Sequence, residues 1–398
     1  MDKNKVIISP KILKWARTSL HLTEDDVVDH FSKKSKQKFN LDLYLLQKIE
    51  SKENEIKFSL LQELAFLYRR PLSVFFLSAP PHELLLPKDR RTIGSFEHNV
   101  LSPETVLIFR RAAYVQEIFS ELATEFGYNL KIPFKKISLS DNPKEIAKKF
   151  REYLDFSFEL QKDKIKDPKN LFDIIREKLE AVNVFTMKAS FPLEDARAFS
   201  LVDRIPNIVV INNRDGGYFG YAPKAFSLLH EFAHVLLREG GICNDFFNSH
   251  VKIEKFCNEF AASFLVPDDT FLNVLGENNL KLEEKEIEKS LELLTKIFKV
   301  SKYVLLRKSL ENELIKEDFY KYKVKNWKDD YDESAKGKGK FVPKITPGLR
   351  TIKNNSTRFV DTVLLAKSSG KITLNNTADY LGVGIKWIPE IEFRIQKG

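Results

Sequence analysis

The chain has few cysteines and no long apolar run, and each shortage excludes a class of protein. Its 398 residues include only two cysteines, Cys243 and Cys257, which argues against a disulfide framework and favours a reducing compartment. No stretch of about 18 apolar residues is present, so no transmembrane helix is expected. The N-terminus does not lead into a signal-peptide pattern. We therefore expect a cytoplasmic protein with no membrane partner.

The composition that remains is that of an ordinary globular protein, 43% apolar and 30% charged, long enough for two or three domains. The net charge of +9 permits contact with nucleic acid but does not establish it. A nucleotide-binding loop of the form Gly-x-x-x-x-Gly-Lys-Ser/Thr is missing. Charge alone therefore assigns no partner.

The most informative stretch is His-Glu-x-x-His, formed by His230, Glu231 and His234 inside an otherwise apolar run. The apolar residues around it repeat every three or four positions, which predicts a buried helix that ends at Gly240. Side chains four apart lie on one face of a helix, so the two histidines can hold one zinc ion, Zn2+. Glu231 lies one step round the helix, where it can act as a general base on water.

A catalytic zinc needs a third protein ligand, and the next predicted helix, 253–267, offers two glutamates. Glu254 lies one turn before Asn258 on the same face, so Glu254 could bind zinc while Asn258 fixes a ligating histidine. Glu259 points elsewhere on the helix and is expected in solvent or in an ion pair. His250, expected in the loop before the helix, is the other alternative. The spacing favours Glu254.

The two thiols are expected to play no part in the metal site. Cys257 has small neighbours, including Ala261, which favours a buried packing role over ligation. Cys243 is expected to be a loop thiol. A structural zinc site, which normally fills four positions and usually uses cysteine, is therefore the weaker interpretation.

Before the His230 helix the periodicity changes from helical to alternating. Three short strands are predicted at 182–187, 198–202 and 207–212. A small sheet before a His-Glu-x-x-His helix is the layout of the zincin peptidases. The strand 207–212 is our candidate for a sheet edge to which an extended substrate could add, and the alternative is that it is an ordinary core strand. The predicted fold class is α+β and mostly helical.

The first 80 residues predict five short helices, of which the second begins with Thr23 as N-cap. Their spacing resembles the XRE type of helix-turn-helix domain. The resemblance includes Lys14-Trp-Ala-Arg in the first helix, Lys48-Ile-Glu-Ser after the third and Leu61-Gln-Glu-Leu-Ala-Phe-Leu-Tyr in the fourth. DNA contact through residues 1–80 is therefore a hypothesis.

The third of these helices is poorly supplied with side chains that recognise bases. It offers Asn40, Tyr44 and Gln47, while Asp42 would repel phosphate. The lysines between 33 and 38 could contact phosphate or simply lie in a solvated loop. The alternative to DNA binding is a module that docks on a protein, such as another helix-turn-helix domain.

Together the two metal-site helices resemble a known family. The residues are His230-Glu-Phe-Ala-His234 and Glu254-Lys-Phe-Cys-Asn258-Glu-Phe-Ala-Ala-Ser-Phe-Leu-Val-Pro267, and they resemble the ImmA/IrrE family of metallopeptidases. Cys257 stands where that family usually has Ala, and Val266 where Met is usual. The resemblance implies a zinc endopeptidase that cuts or binds helix-turn-helix repressors in stress, phage or mobile-element switches. The oxyanion-stabilising group is left open among Tyr218, Tyr221, Arg238 and His250.

The predicted domain order has five parts. A helix-turn-helix domain at 1–80 and a linker at 81–101 precede a zincin-like metallopeptidase domain at 102–315. A basic polar linker at 316–355 then leads to a small helical C-terminal lobe at 356–398.

Three functions compete at this point. The first is a zinc endopeptidase that its N-terminal domain directs to a regulatory protein, most plausibly a helix-turn-helix repressor. The second is a DNA-binding or antitoxin-like regulator in which the peptidase fold mainly makes protein contacts. The third is a general peptidase unrelated to regulation.

Overall fold

The computed structural model describes residues 5–34, 41–52, 54–81, 101–215, 220–238, 248–335 and 345–397. The chain divides into two compact units. The first comprises Met1–Leu86 and Thr92–Arg111, and the second comprises Pro87–Arg91 and Ala112–Gly398. The predicted linker 81–101 lies almost entirely outside the described residues.

The first unit is mainly helical, as predicted, but it also contains a two-stranded antiparallel ribbon that the sequence did not predict. The fifth predicted helix is a 3-10 turn at Leu72–Phe76. The other elements are β1 Lys5–Ile8, α1 Pro10–Thr18, α2 Glu24–Lys34, α3 Leu43–Ser51, β2 Asn54–Lys57 and α4 Phe58–Leu67. Strands β1 and β2 pair from Lys5 opposite Lys57 to Ile8 opposite Asn54.

Local capping explains where the helices of this unit begin. The Thr23 hydroxyl accepts the backbone N–H of Asp26 at 3.1 Å, and the Asp26 carboxylate accepts the N–H of Thr23 at 2.8 Å. This reciprocal pair confirms Thr23 as the cap of α2. Asp42 caps α3 by accepting the N–H of Leu45 at 2.7 Å.

One ion pair is buried in the first unit, between α1 and α3. The Arg17 guanidinium donates from Nε to Glu50 Oε1 at 2.8 Å and from Nη2 to Oε2 at 2.7 Å. Only 6% of Arg17 and 8% of Glu50 is exposed. The hydrogen bond with Glu50 raises the pKa of Arg17 despite its burial. Each charge therefore has its partner inside the protein.

The surface of α3 carries few groups for reading DNA among the described residues. Gln47 donates its side-chain amide to Glu24 at 2.7 Å, and Asp42 is occupied in capping. Tyr44 is 75% exposed and Leu43 is 40% exposed. Asn40 and the lysines at 36 and 38 lie outside the described residues. The XRE-type resemblance and DNA contact stay predictions.

The second unit has a three-stranded sheet and most of the helices of the chain. Helix α5, Pro103–Glu125, begins in the first unit and continues in the second. It ends before Gly127, where a φ of 66° suits glycine. The elements that follow up to the predicted metal site are α6 Pro143–Tyr153, a π-helical turn Leu160–Lys164, α7 Pro168–Ala181, β3 Val184–Ala189, β4 Ala198–Leu201, β5 Asn207–Asn212, α8 Ala222–Leu237 and α9 Asn248–Leu265.

The sheet has the order β3-β5-β4, with β5 parallel to β3 and antiparallel to β4. All three strands were predicted, but the assignment of 207–212 to a sheet edge is wrong. That strand, β5, lies in the centre, and all six of its residues are buried. The edge strand that packs against α8 is β4.

Helix α8 lies at the centre of the second unit's core. It packs against α7, α9 and the sheet. Phe232 on α8 forms edge contacts with Phe134 and Phe150, and it also packs near Phe260 of α9. Because aromatic side chains bury large areas, these contacts fix the distance between the two metal-site helices.

The region after α9 is helical over stretches that were predicted as linker. The remaining elements are α10 Asp268–Glu277, α11 Ile287–Phe298, α12 Lys302–Glu311, α13 Glu317–Ala335, α14 Pro347–Asn354, α15 Thr357–Ser368, α16 Leu374–Leu381, a 3-10 turn Ile385–Trp387 and α17 Ile388–Lys397. Helices α13 and α14 lie within 316–355, so the prediction of a linker there is wrong where the chain is described. The indole N–H of Trp327 on α13 donates to Glu288 of α11 at 3.2 Å. This contact joins α13, whose sequence is mostly polar, to a neighbouring helix.

The C-terminal helices pack on the second unit through polar contacts. Arg358 donates to the Asn183 side-chain oxygen at 2.8 Å, and Tyr114 donates to Asp379 at 2.6 Å. Arg176 of α7 donates to the backbone oxygen of Asn355. The predicted C-terminal lobe is therefore part of the same compact unit. None of the helices in the described part of the chain combines the length and apolar character that a membrane crossing requires.

Candidate metal centre

Helix α8 brings the two histidines of the motif together. Pro223 lies in its first turn, where a missing N–H costs nothing, and nearly every later side chain is buried. His230 and His234 lie one turn apart, with their Nε2 atoms 3.2 Å from each other. The helix ends at Leu237, before the predicted Gly240, because Arg238 adopts a left-handed conformation with φ of 51°. Residues 239–247 lie outside the described residues.

Helix α9 begins at Asn248, five residues before the predicted start. His250 therefore lies in its first turn and not in a loop, which corrects the prediction. Glu254 faces the histidines: its Oε2 lies 3.3 Å from His230 Nε2, and its Oε1 lies 3.2 Å from His234 Nε2. Of the two glutamates that the sequence offered, Glu254 is the one whose carboxylate contacts both histidines.

These distances fit a tetrahedral zinc site. Zinc–nitrogen bonds of about 2.0–2.1 Å at tetrahedral angles would separate two nitrogens by about 3.3–3.4 Å, and a nitrogen from a carboxylate oxygen by about 3.4 Å. The observed separations are 3.2 Å between the nitrogens and 3.2 and 3.3 Å to the oxygens. The residues present therefore fit the metal that the motif predicts, and their role as ligands stays a prediction.

Asn258 lies where the spacing predicted, one turn after Glu254. Its side-chain oxygen is 2.8 Å from Nδ1 of His230. An amide oxygen can only accept, so Nδ1 carries a proton, and in the neutral imidazole Nε2 then presents its lone pair towards His234 and Glu254. Asn258 thereby selects the tautomer of His230 that can bind a metal.

The base candidate Glu231 is buried beside the histidines and is held by the sheet. The hydroxyl of Ser200, on the edge strand β4, donates to Glu231 Oε2 at 2.9 Å. Glu231 is 4% exposed. This hydrogen bond fixes the orientation of the Glu231 carboxylate.

A second polar cluster fixes α8 against the loop that follows β5. Asp215 has a fully buried side chain that accepts from Arg197 at 2.7 Å and from Ser227 of α8 at 2.9 Å. Asn212, at the end of β5, donates to the backbone oxygens of Phe191 and Ala196. Because these bonds are buried, they set the position of α8 along the sheet.

The thiol of Cys257 belongs to the same cluster. One ligand atom from each of His230, His234 and Cys257 lies within 4.8 Å of the other two, and all three residues are buried. Burial lowers the pKa of His234, but hydrogen bonds with Cys257 and Glu254 and the charges of Cys257 and Glu231 raise it well above its ordinary value. Cys257 also belongs to the buried hydrophobic core, as the sequence predicted.

Tyr221 and Arg238, the two oxyanion candidates whose side chains are described, lie at opposite ends of α8. Tyr221 lies at the start of α8, where its ring contacts Phe172 and the lysine Lys224. Arg238 donates to the backbone oxygen of Phe134 at 3.4 Å. Tyr218, like the loop cysteine Cys243, lies outside the described residues, and so does the side chain of His250.

Comparison with known families agrees with this geometry. Residues 179–309 match the family model of the IrrE N-terminal-like domain, Peptidase_M78. The match supports the ImmA/IrrE family for about a third of the chain, and that third contains all three strands of the sheet and both metal-site helices. It indicates a metallopeptidase-type domain. The search of curated proteins found no match.

Two functional residues were missed or misjudged from sequence. Cys257 follows Glu254 by three positions and precedes Asn258 by one, so helical spacing alone could have placed it on the ligand face. The contact of Ser200 with Glu231 joins a strand to a helix across 31 positions. No local sequence pattern predicts such a contact.

Proposed function

We propose that this protein is a zinc-dependent endopeptidase that hydrolyses peptide bonds in a regulatory protein, specifically a helix-turn-helix transcriptional repressor. The observation that carries the proposal is the convergence of His230, His234 and Glu254, with separations of 3.2–3.3 Å, beside a buried Glu231. The match to the IrrE N-terminal-like domain supports a peptidase over a purely structural metal site.

The residues of the centre divide into holding and proton-transfer roles. His230, His234 and Glu254 would hold the metal. A zinc ion there would supply a Lewis acid and lower the pKa of water towards 7. Glu231 would accept the proton of the attacking water and return it to the leaving amine. Ser200 holds Glu231 in position for both transfers.

The edge position of strand β4 supports the proposal that the substrate is an extended peptide. Its one pairing partner among the described residues is β5, and Ser200 lies on β4 itself. A peptide that pairs along the other side of β4 would extend the sheet, with main-chain hydrogen bonds for affinity. Its scissile bond would then run beside Glu231. Strand β4 therefore replaces 207–212 as the candidate docking strand.

The repressor as substrate, and the switch in stress, phage or mobile elements, rest on the family resemblance. The first unit would bring the substrate to the peptidase. Exposed Tyr44 and Leu43 on α3 support docking on another protein.

A second candidate function would also use these exposed residues as a protein-docking surface. In this alternative the chain is a DNA-binding or antitoxin-like regulator whose peptidase fold serves mainly protein contacts. The two functions differ in whether they require Glu231. A regulator of this kind would keep its regulatory effect in cells when Glu231→Gln removes the base.

The test is incubation of the purified chain with candidate repressors, followed by mass spectrometry of the fragments. We expect defined cleavage products, loss of cleavage after chelation and recovery on adding zinc. A repressor that binds but is never cut, by protein whose zinc content has been verified, would contradict the peptidase and leave the regulator.

A further inference from the structure

The metal-site face of α9 carries three polar side chains, and Cys257 lies in the middle of them. Glu254, Cys257 and Asn258 are spaced by three and four positions, which places them on one face of the helix. Glu254 faces both histidines, and Asn258 contacts His230. Cys257 is fully buried between these two neighbours.

The buried thiol packs within the hydrophobic core of the second unit, and it also lies beside nitrogen donors. Its sulfur belongs to a group of ligand atoms, with one nitrogen each from His230 and His234, that lie within 4.8 Å of one another. Two neutral imidazoles and a thiolate are a donor set that suits zinc.

The distances allow sulfur to join the site after a small movement. A zinc–sulfur bond of about 2.3 Å would place the sulfur about 3.6 Å from each nitrogen at tetrahedral angles. The group already lies within 4.8 Å. A change of side-chain torsion at Cys257 is enough to close a difference of this size.

We propose that Cys257 is a fourth protein ligand of the metal, beside His230, His234 and Glu254. This inference rests on the proposed zinc site. With four protein ligands the site is closed, whereas a catalytic zinc site keeps one position for water. The thiol therefore holds the peptidase in a latent form, and the site opens when the Cys257 side chain leaves the metal.

The test uses cobalt(II) in place of zinc, because a cobalt–thiolate bond absorbs in the near ultraviolet by charge transfer from sulfur. The full chain is stripped of metal, loaded with cobalt and compared with Cys257→Ala and Cys257→Ser. We expect the charge-transfer absorption in the wild type and its loss in both variants. Circular dichroism checks that the variants are folded, and the serine variant keeps the size of the side chain.

The other cysteine of the chain provides the matched control. Cys243→Ala should keep the charge-transfer absorption. Cys257→Ala should release zinc to a chelator at least about tenfold faster than Cys243→Ala. Removal of a residue that only hydrogen-bonds to a ligand already lowers metal affinity by about 10–100-fold, so removal of a ligand should cost at least as much. The latent form also predicts faster peptide cleavage by zinc-loaded Cys257→Ala.

The outcomes separate this inference from the proposed function. If the cobalt-loaded wild type lacks the absorption, or if Cys257→Ala retains it, Cys257 is not a ligand. When zinc binding and cleavage persist in that case, the peptidase proposal stands alone. If the wild type takes up neither zinc nor cobalt, both proposals fail.

Discussion

Two buried polar clusters, one in each unit of the chain, show how differently charge can be accommodated inside a protein. In the first unit the guanidinium of Arg17 lies against the carboxylate of Glu50, with hydrogen bonds of 2.8 and 2.7 Å. In the second unit His230, His234 and Glu254 turn their lone-pair atoms towards a common point, at 3.2–3.3 Å.

The difference lies in what completes each cluster. The pair in the first unit joins a donor fork to two acceptors, so it neutralises itself. The contacts described in the second unit join imidazole and carboxylate groups, each of which can donate an electron pair to a cation. An ion pair that neutralises itself is typical of a contact that stabilises the fold. A group of side chains that can all donate to a cation is typical of a metal-binding site. The following predictions test this contrast, beginning with the largest expected effect.

Glu231→Gln should reduce peptide cleavage by about 10²–10⁴-fold, because an amide cannot accept the proton that a general base removes. Zinc content should stay at the wild-type level, since the glutamate is not among the proposed ligands. Cleavage rate and metal content are measured on the same preparation. A variant that cuts at the wild-type rate would remove Glu231 from the mechanism.

Arg17→Met should lower the free energy of unfolding of the first unit by about 3–5 kcal/mol, because Glu50 would be left buried without its partner. The double variant Arg17→Met/Glu50→Leu should recover much of this loss, since neither charge then remains. Denaturant unfolding of the full chain, followed by circular dichroism, measures both. Equal losses in the single and double variants would show that the pair does not neutralise itself in the way described.

Lys188 on β3 tests what happens to a buried charge whose described contacts are mainly aromatic rings. It lies 5.6 Å from the ring centre of Phe172 and 5.8 Å from that of Tyr221. Burial, with the charge of Arg176 beside it, lowers its pKa from 10.5 to about 8.

The sign of the resulting pH effect follows from this lowered pKa. Between pH 8 and 10.5 the unfolded chain binds more protons at this site, so stability should rise with pH across that window. Lys188→Met should raise stability below pH 8 by at most about 3 kcal/mol and flatten the rise. Denaturant unfolding measured at several pH values tests this prediction. If the free energy of unfolding of the variant rises with pH as steeply as that of the wild type, Lys188 is not the cause of the rise.

Asn258→Ala should weaken zinc binding by about 10–100-fold, because the tautomer of His230 would no longer be fixed. Glu259→Ala is the matched control, since it removes a polar side chain from the next position of the same helix. Competition with a chelator measures both affinities. The expected order is a clear loss for Asn258→Ala and little change for Glu259→Ala, and the reverse order would contradict the assigned contact.

Local signals were the part of the fold that the sequence predicted well. Thr23, Ser102 and Asp167 begin helices because each cap is completed within three residues of the chain. The histidine motif and Glu254 were accessible for the same reason, since helical spacing is a local property. Asn258 followed from Glu254 by one further turn.

The contacts that were not predicted join distant parts of the chain. The pairing of β1 with β2 joins residues 46 to 52 positions apart, and the order of strands in a sheet depends on packing that the sequence of one strand does not contain. For this reason β5 was expected at an edge and lies in the centre. Helix α13 was not predicted because its sequence is mostly polar. It is fixed by contacts with a neighbouring helix, such as that of Trp327 with Glu288. Cys257 is different: its spacing was visible, but its small neighbours suggested packing.

The central claim is that His230, His234 and Glu254 form one metal site. The most direct test is zinc titration of the metal-stripped full chain, comparing wild type with Glu254→Ala and with Glu259→Ala as the control. The account predicts one tight zinc site in the wild type and in Glu259→Ala, and an affinity more than about 100-fold lower in Glu254→Ala, a larger loss than that of a ligand's outer partner. Equal affinity in all three chains would contradict it.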